Sequence, residues 1–295
     1  MFEGIITPIV TPFNRDEEQS INYEAAEQLI NHIIKKGVNG IFILGSNGEF
    51  HVINEEEKMA FAKKVIKIVD HRVPVFVGTG ACSTKETIYL SKKMEEIGAD
   101  ALSVITPYFI KPTDKELYEH FKEVANNVKI PIVLYNIPKS TGCNISKEVT
   151  ARLARIDNIQ AIKDSSGDVE NLKGYIEAAS GKNFSVLVGS DSKISMGYNL
   201  GATGAIAGTS NVITDILVKL NKALKINDTK TAEVLQADIN VLRGVLKLGT
   251  VPSIIKRSIE LANIAPVGPA RKPVRETMPV VDEKIREMLK HYQLI

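Results

Sequence analysis

Short apolar runs rich in β-branched residues recur along most of the chain and alternate with longer amphipathic stretches. Within each run the apolar residues are nearly continuous, which is typical of parallel strands covered on both faces. The runs predict eight strands: Gly4–Val10, Gly40–Leu44, Val73–Val77, Ala101–Ile105, Ile130–Tyr135, Ile159–Lys163, Ser185–Val188 and Gly204–Ala207.

The stretches between these runs carry apolar residues at helical spacing and predict amphipathic helices. Clear examples are Tyr23–Lys36, Glu55–Val69, Thr84–Ile97, Asp114–Val128 and Asn211–Leu224. Helix N-caps are predicted where Ser or Asp precedes a helical stretch, at Ser83, Asp114, Ser146 and Asp168. The resulting order is strand followed by helix, repeated through most of the sequence.

Eight strand–helix units predict an α/β fold, a (β/α)8 TIM barrel, which typically needs about 250 residues. A doubly wound open sheet is the alternative. Such a sheet usually carries a glycine-rich dinucleotide-binding motif after its first strand, whereas this chain has Thr11-Pro12-Phe13 there. The strand pattern stops after Asn227, and the remainder predicts helices at Thr229–Leu248, Val251–Ala262 and Asp282–Tyr292. We therefore expect a barrel domain over residues 1–226 and a helical C-terminal region over residues 227–295.

Composition narrows the classes of function. The 295 residues include 37 Lys plus Arg and 35 Asp plus Glu, a formal net charge of +2, which argues against nucleic-acid or membrane binding driven by bulk charge. Two cysteines, Cys82 and Cys143, are too few for a disulfide scaffold or a cysteine-rich zinc site. No secretory signal and no membrane span is recognisable, so a cytoplasmic protein is expected.

Catalytic residues of a TIM barrel lie at the carboxyl ends of its strands, which makes Lys163 the most informative residue. A lysine that emerges from an apolar strand is poorly solvated, which lowers its pKa and favours the neutral amine that forms Schiff bases. The alternatives are a lysine paired with Asp164 or one extended to the rim. Tyr135 ends the neighbouring strand, where its phenol would relay protons, although a purely structural core tyrosine is the alternative.

The loop Gly45-Ser46-Asn47-Gly48-Glu49 follows the second predicted strand. Its backbone N–H groups and the Ser46 hydroxyl suit a carboxylate or another small anion, although a plain tight turn is the alternative. The chain has five histidines, and none falls at a strand end beside a pair of carboxylates, so no metal site is predicted. A metal-free covalent mechanism without an organic cofactor is expected.

Several motifs together resemble the dihydrodipicolinate synthase / N-acetylneuraminate lyase superfamily. They are Thr7-Pro8, Thr11-Pro12-Phe13, Gly45-Ser46-Asn47-Gly48-Glu49, Thr106-Pro107-Tyr108, Tyr135-Asn136-Ile137-Pro138, Thr141-Gly142 and Ile162-Lys163-Asp164. The resemblance is collinear from about residue 3 to the C-terminal helices. It implies a (β/α)8 barrel, a homotetramer or homodimer, and chemistry through a lysine Schiff base with pyruvate or another 2-keto acid.

The resemblance also implies roles for individual residues. Lys163 would form the imine and Tyr135 would relay protons. The pyruvyl carboxylate would lie on Ser46 and Asn47 beside Gly48, and Ile206 would line the pyruvate pocket. Three further positions match those at which N-acetylneuraminate lyases bind substrate hydroxyls: Ser165, Gly189 and Asp191.

The chain departs from the synthase pattern at three places. Ser46 and Asn47 replace two threonines, Phe109 replaces a tyrosine that reaches across the dimer interface, and Ser140 replaces an arginine that binds the carboxylate of the aldehyde. No arginine lies between Arg72 and Arg152, and Lys111 or Lys139 would supply charge without the planar fork of a guanidinium.

These departures favour a class I aldolase that cleaves a 2-keto-3-deoxy sugar acid, similar to 2-keto-3-deoxygluconate aldolase, to pyruvate and an aldehyde. The first alternatives are 4-hydroxy-tetrahydrodipicolinate synthase, which condenses pyruvate with aspartate semialdehyde, and N-acetylneuraminate lyase. A dehydratase using the same Schiff base, a keto-acid-binding regulator without turnover and a phosphate-binding barrel isomerase follow. The region of the feedback lysine site of some synthases is also altered, at Phe50, His51 and Cys82, so no inhibition by lysine is expected.

Overall fold

The computed structural model describes residues 2–295 and contains one closed barrel of eight parallel strands. Neighbours in the barrel are neighbours in sequence, and the first strand also pairs with the eighth. The strands are β1 (Gly4–Pro8), β2 (Gly40–Ile43), β3 (Val75–Gly78), β4 (Ala101–Ile105), β5 (Ile132–Asn136), β6 (Ile159–Asp164), β7 (Ser185–Val188) and β8 (Gly204–Ile206). The predicted TIM barrel is confirmed, with bounds shifted by one or two residues in most strands.

The barrel interior is filled by one buried apolar side chain from each strand: Ile6, Phe42, Phe76, Ala101, Val133, Ala161, Leu187 and Ile206. Side chains alternate between the two faces of a strand, so the residue two positions after each of these also faces the interior, nearer the carboxyl end. In β5 that residue is Tyr135 and in β6 it is Lys163. Strand periodicity alone therefore brings both side chains into the mouth of the barrel.

Helices surround the barrel and cover its outer face with a second, larger apolar cluster. They are α1 (Tyr23–Lys35), α2 (Glu55–Val69), α3 (Thr84–Ile97), α4 (Asp114–Asn126), α5 (Pro138–Thr141), α6 (Lys147–Leu153), α7 (Val169–Ala179), α8 (Ile194–Leu200), α9 (Thr214–Lys225), α10 (Thr229–Leu246), α11 (Val251–Leu261) and α12 (Pro279–His291). The strands are apolar on both faces because each packs against the barrel interior and this helical layer.

The predicted N-caps at Ser83, Ser146 and Asp168 are confirmed, since each side chain accepts a hydrogen bond from a backbone N–H in the first turn. The prediction for Asp114 was wrong by one residue. Thr113 is the N-cap of α4, because its hydroxyl and the Glu116 carboxylate form a reciprocal capping box.

The helix predicted from Asn211 begins at Thr214 instead, because Asn211 ends a 3-10 turn after β8. The Asn211 side chain donates to the carbonyl oxygens of Pro8 and Gly208, each at 2.9 Å, and accepts from the Val10 N–H at 3.3 Å. These bonds tie the turn after β8 to the end of β1 and reinforce the β1–β8 pairing that closes the barrel. They use the Asn211 side chain in a way that the α-helical pattern does not anticipate.

The three predicted C-terminal helices are present as α10, α11 and α12. Helix α10 packs against α9 and α12, and the Tyr292 hydroxyl bonds to α10 by accepting from the Leu242 N–H and donating to the Asp238 carbonyl. The division into domains at residues 226 and 227 stays a prediction. Among the helices described, none is long and apolar enough to cross a membrane.

Candidate active site

Lys163 lies at the floor of the barrel mouth, on β6. Its residue is only 4% exposed, and its Nζ lies 3.9 Å from the centroid of the Tyr135 ring and 5.2 Å from that of Phe42. Within residues 2–295 its amine forms no ion pair with a carboxylate. The amine is therefore packed against aromatic faces and has no carboxylate partner in the described residues.

The neighbouring Asp164 is engaged elsewhere, so the alternative in which it pairs with Lys163 was wrong. Its carboxylate accepts from Asn136 Nδ2 at 2.9 Å and from the N–H and hydroxyl of Ser166 at 3.1 and 2.8 Å. Burial raises the pKa of this carboxyl, and the hydrogen bonds from Asn136 and Ser166 oppose that rise. Asp164 therefore organises the loop after β6 and leaves the lysine unpaired. The burial of Lys163 also excludes the alternative of a side chain extended to the rim.

Tyr135 faces Lys163 across one step of the barrel, since the two residues are partners in the β5–β6 register. The Tyr135 hydroxyl oxygen lies 3.3 Å from Ser46 Oγ, a distance at which either group can donate. The phenol therefore stands between the lysine and the loop after β2. A hydroxyl there can exchange protons with a group bound to Lys163 and with Ser46.

Open space beside Lys163 depends on Gly189, the first residue after β7. A Cβ at this position would lie 2.8 Å from the Asp164 carbonyl oxygen and 2.9 Å from Lys163 Cε, closer than real Cβ atoms approach such neighbours. The absence of a side chain lets the strand end come close to the lysine while its amine stays accessible. Gly189 therefore shapes the space beside Lys163, and its predicted contact with substrate hydroxyls stays a prediction.

The loop that carries Ser46 and Asn47 is fixed from behind by a buried ion pair. Glu49, in the left-handed region with φ of 56°, places Oε1 2.6 Å from Lys256 Nζ on α11, and both side chains are 2% exposed or less. Glu49 Oε2 also accepts from the Arg271 N–H at 2.8 Å, and the Gly48 carbonyl accepts from the Thr11 hydroxyl at 2.7 Å. Glu49 therefore holds the loop and does not face the barrel mouth.

Lys256 has two further contacts. Its Nζ donates to the Pro269 carbonyl at 2.8 Å and lies 4.1 Å from the centroid of the Phe13 ring. Burial lowers its pKa to about 8, against the opposing effect of Glu49. The C-terminal region thus contributes a charge to the support of the loop.

The strand-end residues surround a cavity of about 370 Å³, within the usual range for small-molecule sites. It brings together all the predicted site residues except Gly48: Lys163, Tyr135, Ser46, Asn47, Ser165, Gly189, Asp191 and Ile206. Gly48 does not line it, because the peptide at this residue faces Thr11 instead.

Asp191 lines the cavity, but its carboxylate already holds the backbone after β8. It accepts from the Thr209 N–H at 2.7 Å and from the Gly208 N–H at 3.3 Å. A Cβ at Gly208 would lie 2.7 Å from Asn47 Nδ2, so this backbone also fixes the space available to Asn47. Asp191 therefore shapes the cavity through the loop that it anchors; its predicted contact with substrate hydroxyls stays a prediction.

One wall of the cavity was missed by sequence reasoning. Helices α10 and α11 lie across the mouth and contribute Arg243, Leu246, Lys247, Val251 and Ile255. Further lining residues from the strand-end loops are Pro8, Ile137, Lys139, Ser166, Gly167, Ser190 and Gly208. The amphipathic pattern of α10 signals that one face is packed, but it does not tell which part of the barrel that face meets.

The described part of the chain holds no group of three or more His, Cys, Asp or Glu side chains placed to bind a metal ion. His120 is buried on α4, where its Nδ1 lies 2.9 Å from the Thr84 hydroxyl, and burial lowers its pKa to about 4. Cys82 and Cys143 are both free thiols, the first exposed and the second buried. All three residues lie outside the cavity lining.

Comparison with known proteins shows which family and which structures this chain is similar to. A family described as the dihydrodipicolinate synthetase family matches residues 1–292. A protein of Methanoculleus marisnigri named 4-hydroxy-tetrahydrodipicolinate synthase is 36% identical over 289 residues, covering 98% of this chain and 99% of the relative.

Two solved structures extend the comparison. Dihydrodipicolinate synthase from Aquifex aeolicus superposes with a TM-score of 0.94 and 34% identity, covering 99% of each chain. YagE, described as an E. coli K12 prophage protein belonging to the dihydrodipicolinic acid synthase family in complex with pyruvate, gives a TM-score of 0.95 and 33% identity over the whole of both chains. The likeness covers the C-terminal helices as well as the barrel.

Proposed function

Because the chain belongs to the dihydrodipicolinate synthetase family, we propose that it is a class I carbon–carbon lyase in which Lys163 forms an imine with pyruvate. The observation that carries the proposal is the arrangement of Lys163 at the barrel mouth. Its amine is buried, lies beside Tyr135 and forms no ion pair in the described residues. A lysine amine that is free of a carboxylate and lies beside a phenol is placed to attack a carbonyl carbon, which is the first step of Schiff-base chemistry.

The reaction begins with attack of the Lys163 amine on the C2 carbonyl of pyruvate. The carbinolamine loses water to give the imine, whose C3 loses a proton to give an enamine. In synthesis, C3 of the enamine bonds to the aldehyde carbon and the aldehyde oxygen gains a proton; cleavage is the reverse. Tyr135 relays these protons, Ser46 orients its hydroxyl, and the loop bearing Asn47 receives the pyruvyl carboxylate. In this mechanism the covalent imine takes the place of a metal or an organic cofactor.

The first candidate for the second substrate is aspartate semialdehyde, which would make the chain a 4-hydroxy-tetrahydrodipicolinate synthase. The names of the similar proteins favour this reaction over the sugar-acid cleavage expected first from the sequence. Cleavage of a 2-keto-3-deoxy sugar acid is the second candidate. It is supported by Phe109, which has no hydroxyl, and by Ser140, which has no charge.

An assembly of two or four copies is part of the proposal. Phe109 and Ile110 are 92% and 73% exposed, and Phe109 has a φ of 77°, a conformation that L side chains rarely adopt. Two adjacent large apolar residues held out into water in a strained turn suit a contact with a second copy of the chain. We therefore propose that this turn lies in a subunit interface.

Borohydride trapping tests the imine directly. Incubation with pyruvate and borohydride should add one reduced pyruvyl group to the protein, on the peptide that contains Lys163. The Lys163→Ala variant should show no addition, whereas Lys230→Ala, which changes an exposed lysine on α10, should trap normally. Trapping that persists in Lys163→Ala would overturn the mechanism. Tyr135→Phe should still trap but turn over roughly 10²- to 10⁴-fold more slowly.

A coupled assay separates the candidate substrates. One arm supplies pyruvate with aspartate semialdehyde, and the other follows pyruvate released from 2-keto-3-deoxygluconate and N-acetylneuraminate. Turnover in the first arm alone establishes the synthase, and turnover in the second alone establishes the sugar-acid lyase. Dialysis against EDTA should leave either activity unchanged; a loss restored by a divalent metal would contradict the metal-free mechanism.

A further inference from the structure

The cavity above Lys163 carries more positive charge than imine formation needs. Besides Lys163 itself, its lining includes the cations Lys139, Arg243 and Lys247. Asp191 is the one carboxylate among the described lining residues, and it already accepts two backbone N–H groups. Within residues 2–295, Lys139, Arg243 and Lys247 form no ion pairs. The cavity is therefore suited to a substrate with more than one negative charge.

The position of Arg243 follows from how α10 is attached to the barrel. Gln236 Nε2 donates to the Asp191 carbonyl at 2.9 Å, and Gln236 Oε1 accepts from the Ser195 N–H at 2.9 Å. Arg243 lies two helical turns after Gln236 and thus on the same face, and Lys247 follows one turn later. The contact at Gln236 therefore turns both cations toward the cavity.

Arg243 and Lys247 carry like charges and repel each other when no anion is bound beside them. Like charges one helical turn apart destabilise a helix by a few tenths of a kcal/mol, so their pairing at a cavity wall has a small cost without an anion. The pyruvyl carboxylate already has a place on the Ser46–Asn47 loop in the proposed function. A second anionic group on the substrate would supply the partner that Arg243 and Lys247 lack.

We propose that Arg243, assisted by Lys247, binds an anionic group on the substrate portion that does not come from pyruvate. The substrate class is then an aldehyde bearing a carboxylate or a phosphate, or the corresponding doubly charged 2-keto acid. Arginine binds either group through two parallel N–H donors. This inference rests on the proposed function. It supplies from α10 the guanidinium that Ser140 cannot supply from the loop after β5.

The test compares aldehydes that differ in their anionic group, with pyruvate as the common partner. Glyceraldehyde is the neutral aldehyde, glyceraldehyde 3-phosphate carries a phosphate, and aspartate semialdehyde and succinic semialdehyde carry a carboxylate. The wild-type enzyme should favour at least one anionic class over glyceraldehyde in kcat/KM. Which class it favours distinguishes a phosphate from a carboxylate substrate.

Arg243→Gln should lower the ratio of anionic to neutral kcat/KM by roughly tenfold or more, mostly through the KM of the anionic aldehyde, because a charge-assisted bidentate bond is lost. Arg243→Lys should recover part of this ratio, and Lys247→Gln should lower it less. Lys230→Gln removes an exposed charge from the same helix away from the cavity and should leave the ratio unchanged.

Two results would overturn the inference: a wild-type enzyme with no preference for anionic aldehydes, or an Arg243→Gln variant whose ratio is unchanged. An equal loss for neutral and anionic aldehydes would also overturn it, since that pattern indicates a structural role. Borohydride trapping with pyruvate, measured in the same samples, separates these failures from failure of the imine mechanism. Without trapping the proposed function fails; with trapping but no anion preference, only the role of Arg243 fails.

Discussion

Replacing Lys256 with methionine should destabilise the protein strongly, because it leaves the carboxylate of Glu49 buried without its cation. The two charges lie 2.6 Å apart and both side chains are 2% exposed or less. Removing one member of such a pair costs about 3–5 kcal/mol. We expect the lower end, about 3 kcal/mol, because the Arg271 N–H still satisfies one Glu49 oxygen. Burial also disfavours the charged form of Lys256, whose pKa it lowers to about 8, and this desolvation cost is a second reason to expect the lower end.

Urea unfolding at pH 7 measures this change. With a slope of about 3 kcal/mol/M for a protein of this size, a loss of 3 kcal/mol lowers the midpoint by roughly 1 M. The KM for pyruvate should rise as well, because Glu49 holds the loop that carries Ser46 and Asn47. Lys93→Met is the matched control: it removes an exposed cation paired with Glu96 at 2.8 Å and should leave the midpoint unchanged.

The double variant Glu49→Gln/Lys256→Met tests whether the effect comes from the ion pair itself. Without the carboxylate there is no uncompensated charge, so the double variant should be more stable than Lys256→Met alone. A Lys256→Met variant within 1 kcal/mol of wild type would refute the reasoning. The reasoning would also be refuted if the loss of unfolding free energy in the double variant equalled the sum of the losses in the two single variants, because Glu49 and Lys256 would then act independently.

Three further outcomes are expected. Between pH 7 and pH 5 the wild type should lose about 2 kcal/mol more stability than His120→Gln. The pKa of His120 is about 4 in the folded protein and about 6.5 in the unfolded chain, so the unfolded chain takes up the proton first as the pH falls. Equal losses of the two proteins in urea titrations would contradict this. Gly189→Ala should slow borohydride trapping at Lys163 at least tenfold, since its Cβ would lie 2.9 Å from the lysine Cε; an unchanged trapping rate would show that the backbone can move aside. Ile110→Lys should shift the protein to smaller assemblies in sedimentation velocity, and an unchanged distribution would place the interface elsewhere.

The placement of Tyr135 beside Lys163 could be predicted from sequence because it follows from strand periodicity. Val133 and Ala161 belong to the barrel interior, and Tyr135 and Lys163 follow them by one strand repeat. Parallel strands in a closed barrel end at the same rim, so adjacent strand ends lie close together whatever the loops do. Both facts are local in sequence, which is why the apolar runs were enough to predict them.

The role of Glu49 could not be predicted in the same way. It belongs to the loop motif on which the family resemblance depends, and its position beside Ser46 and Asn47 suggests a residue of the site. The structure turns it away from the barrel mouth, toward Lys256 and Arg271. Those partners come from the C-terminal region, and no spacing rule links them to the loop.

The lack of a spacing rule between distant elements also explains why Ser140, which replaces an arginine, favoured the sugar-acid lyase over the synthase in the sequence analysis. No arginine lies near Ser140 in sequence. A nearby residue would belong to the same short loop at the end of β5, whereas a replacement can come from any element that lies over the barrel mouth. The helix that closes the mouth comes from residues after the last strand, and it places Arg243 against the cavity that contains Lys163. Charge at a barrel mouth thus has to be counted over every element that covers it. For this chain, the helical C-terminal region supplies one wall of the candidate site.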